Sequence, residues 1–161
     1  VGDGSQPLIS KCYGERDFHE LKKMRKFAYG FAMLLSVVSC VLMYVGKGHL
    51  GILFGTSATV NVEIAKIIPI FLVSVPFVAV SRITTASFYA MDKNTFSYIL
   101  TFIEPVLMFV FMLFLPPLFG GQVMIWWSTV LARILSALLA FVLKGQIDKR
   151  ELLEERELLK G

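Results

Sequence analysis

The sequence predicts an all-α integral membrane protein with four transmembrane helices, over about 27–45, 67–91, 95–118 and 123–143. Three observations carry this reading. The 161 residues are 56% hydrophobic and 17% charged, against roughly 25% charged in soluble domains, and the mean hydropathy is +0.70. The apolar residues gather in four runs, each long enough to cross a hydrocarbon core about 30 Å thick, which takes ~20 helical residues. The third run, TFSYILTFIEPVLMFVFMLFLPPL at 95–118, holds one ionisable residue, Glu104, near its middle.

The chain opens with a polar stretch, 1–26, expected as a loop followed by a short basic helix. Gly2, Gly4 and Pro7 punctuate the loop, and Asp17 with Glu20 three residues on forms a capping-box pair that starts the helix. Six basic residues fall here: Lys11, Arg16, Lys22, Lys23, Arg25 and Lys26. They read first as a flank kept on the cytoplasmic side by its positive charge; binding of anionic lipid headgroups is the sharper alternative, compatible with it. Cys12 and Cys40, one in a polar flank and one in an apolar run, read as plain small residues and not as a disulfide.

The first span, 27–45, is uncharged, and Gly30, Ala32, Ser36 and Ser39 are small enough to let a neighbouring helix approach. A glycine-bearing connection, 46–66, follows, with a short interfacial helix expected over 59–66 and Glu63 exposed. The second span, 67–91, carries one charge, Arg82. Pro69 suits its first turn; Pro76 lies inside it, where it bends the helix and frees the carbonyl of Leu72. Asp92-Lys93-Asn94 is a tight polar turn into the third span, which Pro116-Pro117 and Gly120-Gly121 end. The fourth span, 123–143, again carries one charge, Arg133, and Trp126 and Trp127 near its start fit an interfacial aromatic belt. The tail, 144–161, is charged, with Leu152, Leu153, Leu158 and Leu159 on one face of an amphipathic helix. Three regions result: 1–26, the bundle 27–143, and the tail 144–161.

Four spans put the opening, the 92–94 turn and the tail on one side. That side holds twelve of the sixteen basic residues, the other only Lys47 and Lys66. The split places the opening and the tail in the cytoplasm.

At ~1.5 Å per residue, Arg82 and Glu104 each lie about 14 Å from the cytoplasmic end of their spans, and Arg133 about 15 Å from either face. The sequence therefore predicts a midplane cluster of Glu104, Arg133 and Arg82. Two roles fit it. One is a structural ion pair, whose strength depends on how far desolvation cancels attraction. The other is a proton or cation relay, or a charged wall of a transport cavity. Two cations with one anion suit charge compensation better than proton cycling. Pro105 leaves the carbonyl of Thr101 open at this level. Tyr29, Ser74, Tyr89, Tyr98 and Thr101 are the polar or aromatic candidates for a cavity lining. There is no Cys/His spacing for a metal, and no phosphate loop, nucleophile elbow or paired carboxylates. The sequence does not read as an enzyme, and no bound cofactor is expected.

VGDGSQPLISKCYGERD resembles the Q-P-[IL]-[IS]-x-x-x-[FY]-G-x-x-[DN] segment of multidrug and toxic-compound extrusion (MATE) transporters, matched at Gly4, Gln6, Pro7, Leu8, Ile9, Tyr13, Gly14 and Asp17. SFYAMDKNT is similar to that family's F-Q-A-x-G-K turn at Phe88, Ala90 and Lys93, with Asp92 where a glycine is common. FGGQVMIWWSTVLAR looks like its G-x-x-G-V-W stretch. The resemblance implies four helices from the second six-helix bundle of a twelve-helix transporter, with the front of a longer protein missing. In that family the first motif joins the eighth and ninth helices. An arginine is frequent near the place of Glu104, and an acidic or polar residue near that of Arg133, so the pair here would be charge-reversed.

The implied function is antiport: export of cationic or amphipathic compounds, coupled to sodium or protons, by alternating access. The implied partners are membrane lipid, the substrate and eight further helices, with no nucleic acid, in a plasma-membrane setting. Two alternatives stay open: a flippase for lipid-linked sugars from the same superfamily, and a freestanding four-helix membrane scaffold.

Overall fold

Two helix corners set the path of the chain, and both are built the same way. At the first, Arg16 N–H donates to the Tyr13 carbonyl at 3.1 Å and Asp17 N–H to that of Cys12 at 3.0 Å. At the second, Asp92 N–H donates to Tyr89 at 3.2 Å and Lys93 N–H to Phe88 at 2.9 Å. Each is a Schellman closure, which needs a left-handed residue just past the helix end. Arg16 (φ 54°) and Asp92 (φ 55°) take that role. Asp92 occupies the place where the resembling turn has glycine, which adopts this conformation without a Cβ penalty.

The computed structural model describes residues 1–158, in six helices: α1 (Gly2–Gly14), α2 (Phe18–Gly46), α3 (Leu50–Leu53), α4 (Ala58–Ala90), α5 (Asn94–Phe119) and α6 (Val123–Leu158). Four of them, α2, α4, α5 and α6, are long and apolar enough to cross a membrane. The four expected spans fall within these helices, which run further, except that Met91 is the C-cap just past the end of α4. Asp17 accepts from Glu20 N–H at 3.0 Å and caps α2, but α2 continues from that cap through the whole first span. Likewise 59–66 is the start of α4 and not a separate interfacial helix, so Pro69 stands in a helix interior instead of a first turn. The opening is not a loop either: α1 is helical with Pro7 inside it. The tail, as far as Leu158, is the unbroken continuation of α6.

The hub is α4, which packs against every other helix. Its neighbours are registered by small and polar side chains. On α2, Ala28, Ala32 and Ser36 are buried while Gly30 and Ser39 are exposed, so the packing stripe follows the i, i+4 face. Cys40 extends that stripe and donates its thiol to the Leu72 carbonyl at 3.6 Å. This is the carbonyl that Pro76, lacking an N–H, cannot engage. Tyr29 Oη and Thr84 Oγ1 meet at 2.6 Å, and with the Cys40–Leu72 contact this shows that α2 and α4 are antiparallel. On α6, Ser128, Ala132, Ser136, Ala137 and Ala140 are at most 1% exposed. Ser128 Oγ donates to the Phe111 carbonyl of α5 at 3.1 Å, and Ser136 and Ser81 of α4 lie 3.3 Å apart. Small residues let helices approach closely, which is how association proceeds where lipid removes the hydrophobic drive. Phe102, Val106, Phe109 and Leu113 on α5 face outward, 54–70% exposed, as lipid-facing side chains do.

Near the two corners lies the main apolar cluster: Ile9, Phe18, Leu21, Phe88, Met91, Leu100, Ala140 and Ile147. It ties α1 to both corners and to the far part of α6.

Candidate functional site

Arg133 projects from α6 to two neighbouring helices. Its Nη1 donates to Ser74 Oγ of α4 at 2.9 Å, and its Nε lies 3.5 Å from Glu104 Oε1 of α5. Ser74 is fully buried and passes its own proton to the Phe71 carbonyl at 2.7 Å. That leaves its lone pairs turned to the guanidinium. The Arg133 and Glu104 side chains are 26% and 16% exposed, so the pair is largely withdrawn from solvent. Arg133 Nε is nonetheless a buried donor without a hydrogen-bond partner among the described residues. Charge alone holds it to Glu104.

Arg82 does not join them. It is exposed and lines a different groove of about 590 Å³ with Gly2, Gln6, Tyr89 and Ser97. The depth estimate counted residues along the helix but not around it. At 100° per residue, Ser81 turns to α6 while Arg82, one step on, turns to the side where α1 begins. A Cβ on Gly2 would lie 3.3 Å from Ala86 Cβ and 3.7 Å from the Arg82 carbonyl.

The five cavity candidates do not converge. Tyr29 lies between α2 and α4, and Ser74 belongs to the Arg133 contact. Tyr89 is 54% and Tyr98 58% exposed. Thr101 is exposed and bonds back to the Ser97 carbonyl at 2.8 Å. Of the opening motif, Gln6 donates to Asp3 at 3.3 Å and Tyr13 lies under the Lys93 ammonium, 5.7 Å from the ring centroid. Gly4 has open space around it, and Gly14 ends α1.

A second charge constellation was missed in the sequence. Arg25 of α2 is 3% exposed, pairs with Asp148, and donates through Nη1 to Glu151 at 3.0 Å. Glu151 is fully buried and has Lys93 of the second corner 3.9 Å away. Asp148 is also 3.5 Å from Lys144, and Glu155 receives Lys22 at 2.8 Å. This network clamps α2, the α4–α5 corner and α6 together above the apolar cluster. One member of the basic run is not on its open face: Leu21, Arg25, Ala28 and Ala32 share one helical stripe, the buried one. On the tail, Leu152 and Leu153 are 45% and 60% exposed while Ile147 and Glu151 are the buried pair. The expected leucine face is therefore not the packing face. Of that face, Leu159 lies outside the described residues.

Four apolar helices, polar contacts turned inward and a basic end define a multi-pass α-helical membrane protein. A family model described as MatE matches residues 1–114, which is most of the chain. The chain belongs to the MatE family, a family of transporters, as the opening motif implied. Glu104 falls inside the matched span and Arg133 beyond it. No curated protein matches the chain, and no solved structure does.

Proposed function

We propose that the chain is part of a secondary active transporter that exports cationic or amphipathic compounds by alternating access, coupled to inward sodium or proton flow. In this reading it supplies four helices of one lobe, and eight further helices complete the transporter in the plasma membrane, with the opening and tail cytoplasmic. The observation that carries it is the ion pair of Glu104 and Arg133 set among three membrane helices of a MatE-family chain. An ionisable pair kept at such a depth is costly, and such residues mark ion or substrate pathways. Here the pair compensates charge where α4, α5 and α6 meet.

The test is efflux of a cationic dye from cells making the complete twelve-helix protein, against cells making residues 1–161 alone. Dye extrusion that needs the complete protein and collapses with the sodium or proton gradient is expected. Equal extrusion from the 161-residue chain, or none from the complete protein, would refute the reading. Arg82, exposed in a polar groove, supports a second reading, a flippase for lipid-linked sugars. Accumulation of a lipid-linked precursor on deletion, with dye efflux unchanged, would favour it.

A further inference from the structure

We propose that the groove between α2 and α6, at the basic end of the bundle, binds an anionic phospholipid, headgroup at the rim and acyl chain along the floor. The groove has a volume of about 630 Å³. Lys22, Lys26 and Lys144 line it together with Arg25 and Asp148, and Gly30, Met33, Val80 and Phe141 make up its apolar floor and walls.

The charges around it do not balance. Five of the cations at this end stand in the groove or its ion-pair network: Lys22, Arg25, Lys26, Lys93 and Lys144. Three acids meet them: Asp148, Glu151 and Glu155. Lys22 is matched by Glu155, and Arg25 with Lys93 by Glu151. Lys144 shares Asp148 with Arg25 and leans over the Tyr29 ring, 5.2 Å from its centroid. Lys26 has no acid partner among the described residues and is exposed. The surplus positive charge therefore falls on Lys26 and Lys144, on opposite walls of the groove. Five cations against three acids leave a surplus of two, and the single negative charge of a phosphodiester offsets half of it.

The floor decides between a lipid and a free anion. Met33 and Phe141 are 39% and 54% exposed, and nothing lies within 4 Å of a Cβ built on Gly30. An open apolar channel thus runs from the lysines toward the membrane interior. From Lys26 to Met33 it descends about 10 Å, a depth that a hydrated ion does not fill and an acyl chain does. Basic pockets between membrane helices on the positively charged side take anionic headgroups by this combination. The inference rests on the membrane-spanning fold and is independent of the transport reading.

The experiment is native mass spectrometry of the chain in dodecyl maltoside, titrated with dioleoylphosphatidylglycerol, dioleoylphosphatidylcholine or inorganic phosphate. Phosphatidylglycerol is expected to be retained in preference to phosphatidylcholine, and phosphate not to displace it. Lys26→Gln, at an exposed and unpaired position, should weaken retention about five-fold, and with Lys144→Gln roughly thirty-fold. Gly30→Leu, which fills the floor and keeps both lysines, should weaken it too. Removing the same charge at the far end, Lys47→Gln with Lys66→Gln, should not. Equal retention of the two lipids would overturn the proposal. So would an equal loss from the far-end pair, or displacement of the lipid by inorganic phosphate.

Discussion

Arg133 Nε and Glu104 Oε1 lie 3.5 Å apart, yet Nε makes no hydrogen bond among the described residues. The stronger anchor of Arg133 is Ser74, at 2.9 Å from Nη1. α4 thus holds the guanidinium by direction, and α5 holds it by charge. A contact of the second kind tolerates small changes in separation, because Coulomb energy falls gradually with distance while a hydrogen bond is lost over a few tenths of an ångström. The α5–α6 seam can therefore adjust at this level without uncoupling α4 from α6.

Arg25→Gln should be among the most damaging single substitutions in the chain. It leaves Glu151, fully buried, to the longer 3.9 Å contact with Lys93, and removes one partner of Asp148. Breaking a buried pair from one side costs about 3–5 kcal/mol. Thermal unfolding in detergent should show a large drop. Lys23→Gln, two residues away and paired only with Glu20 on an exposed face, should change stability by less than about 1 kcal/mol.

Asp92→Gly should stabilise the protein, as should Arg16→Gly. Both residues sit at left-handed φ in a Schellman closure, where a Cβ costs on the order of 1 kcal/mol. Part of the gain is offset because glycine is freer in the unfolded chain. Asp92→Val, β-branched at positive φ, should destabilise. Chemical unfolding of the three variants in one detergent orders them Gly, native, Val.

Adjacent positions on α6 should behave oppositely. Ala137 is 1% exposed, next to Ser136 in the buried small-residue seam, and Leu138 is 53% exposed. Ala137→Leu forces that seam apart and should cost about 1–3 kcal/mol. Leu138→Ala removes only lipid-facing surface and should shift the melting temperature little. A comparable loss from both would contradict the packing described for α6.

Hydropathy made the four crossings legible, because a run such as 95–118 has no alternative environment. It did not reveal where helices continue past the lipid. The start of α2 and the end of α6 are rich in charge, and charge in a helix reads as flank until its partners are known. Arg25 and Glu151 lie 126 residues apart in sequence, so no local pattern joins them. Counting along the helices paired Glu104 with Arg133, which meet, but gave no direction around them, and Arg82, assigned to the same level, turns away. Pro76 was the most informative single residue. Its missing N–H told which carbonyl would be free, and Cys40 is the side chain that takes it.

The central claim is that the acid of α5 and the base of α6 interact within the membrane. A double-mutant cycle on Glu104→Gln and Arg133→Gln, with unfolding free energies measured in one detergent, tests it most directly. The account predicts that each substitution destabilises and that the double variant loses less than the two together, with a coupling on the order of 1 kcal/mol. Additivity to within about 0.3–0.5 kcal/mol, the behaviour of sites that share no contact, would contradict it.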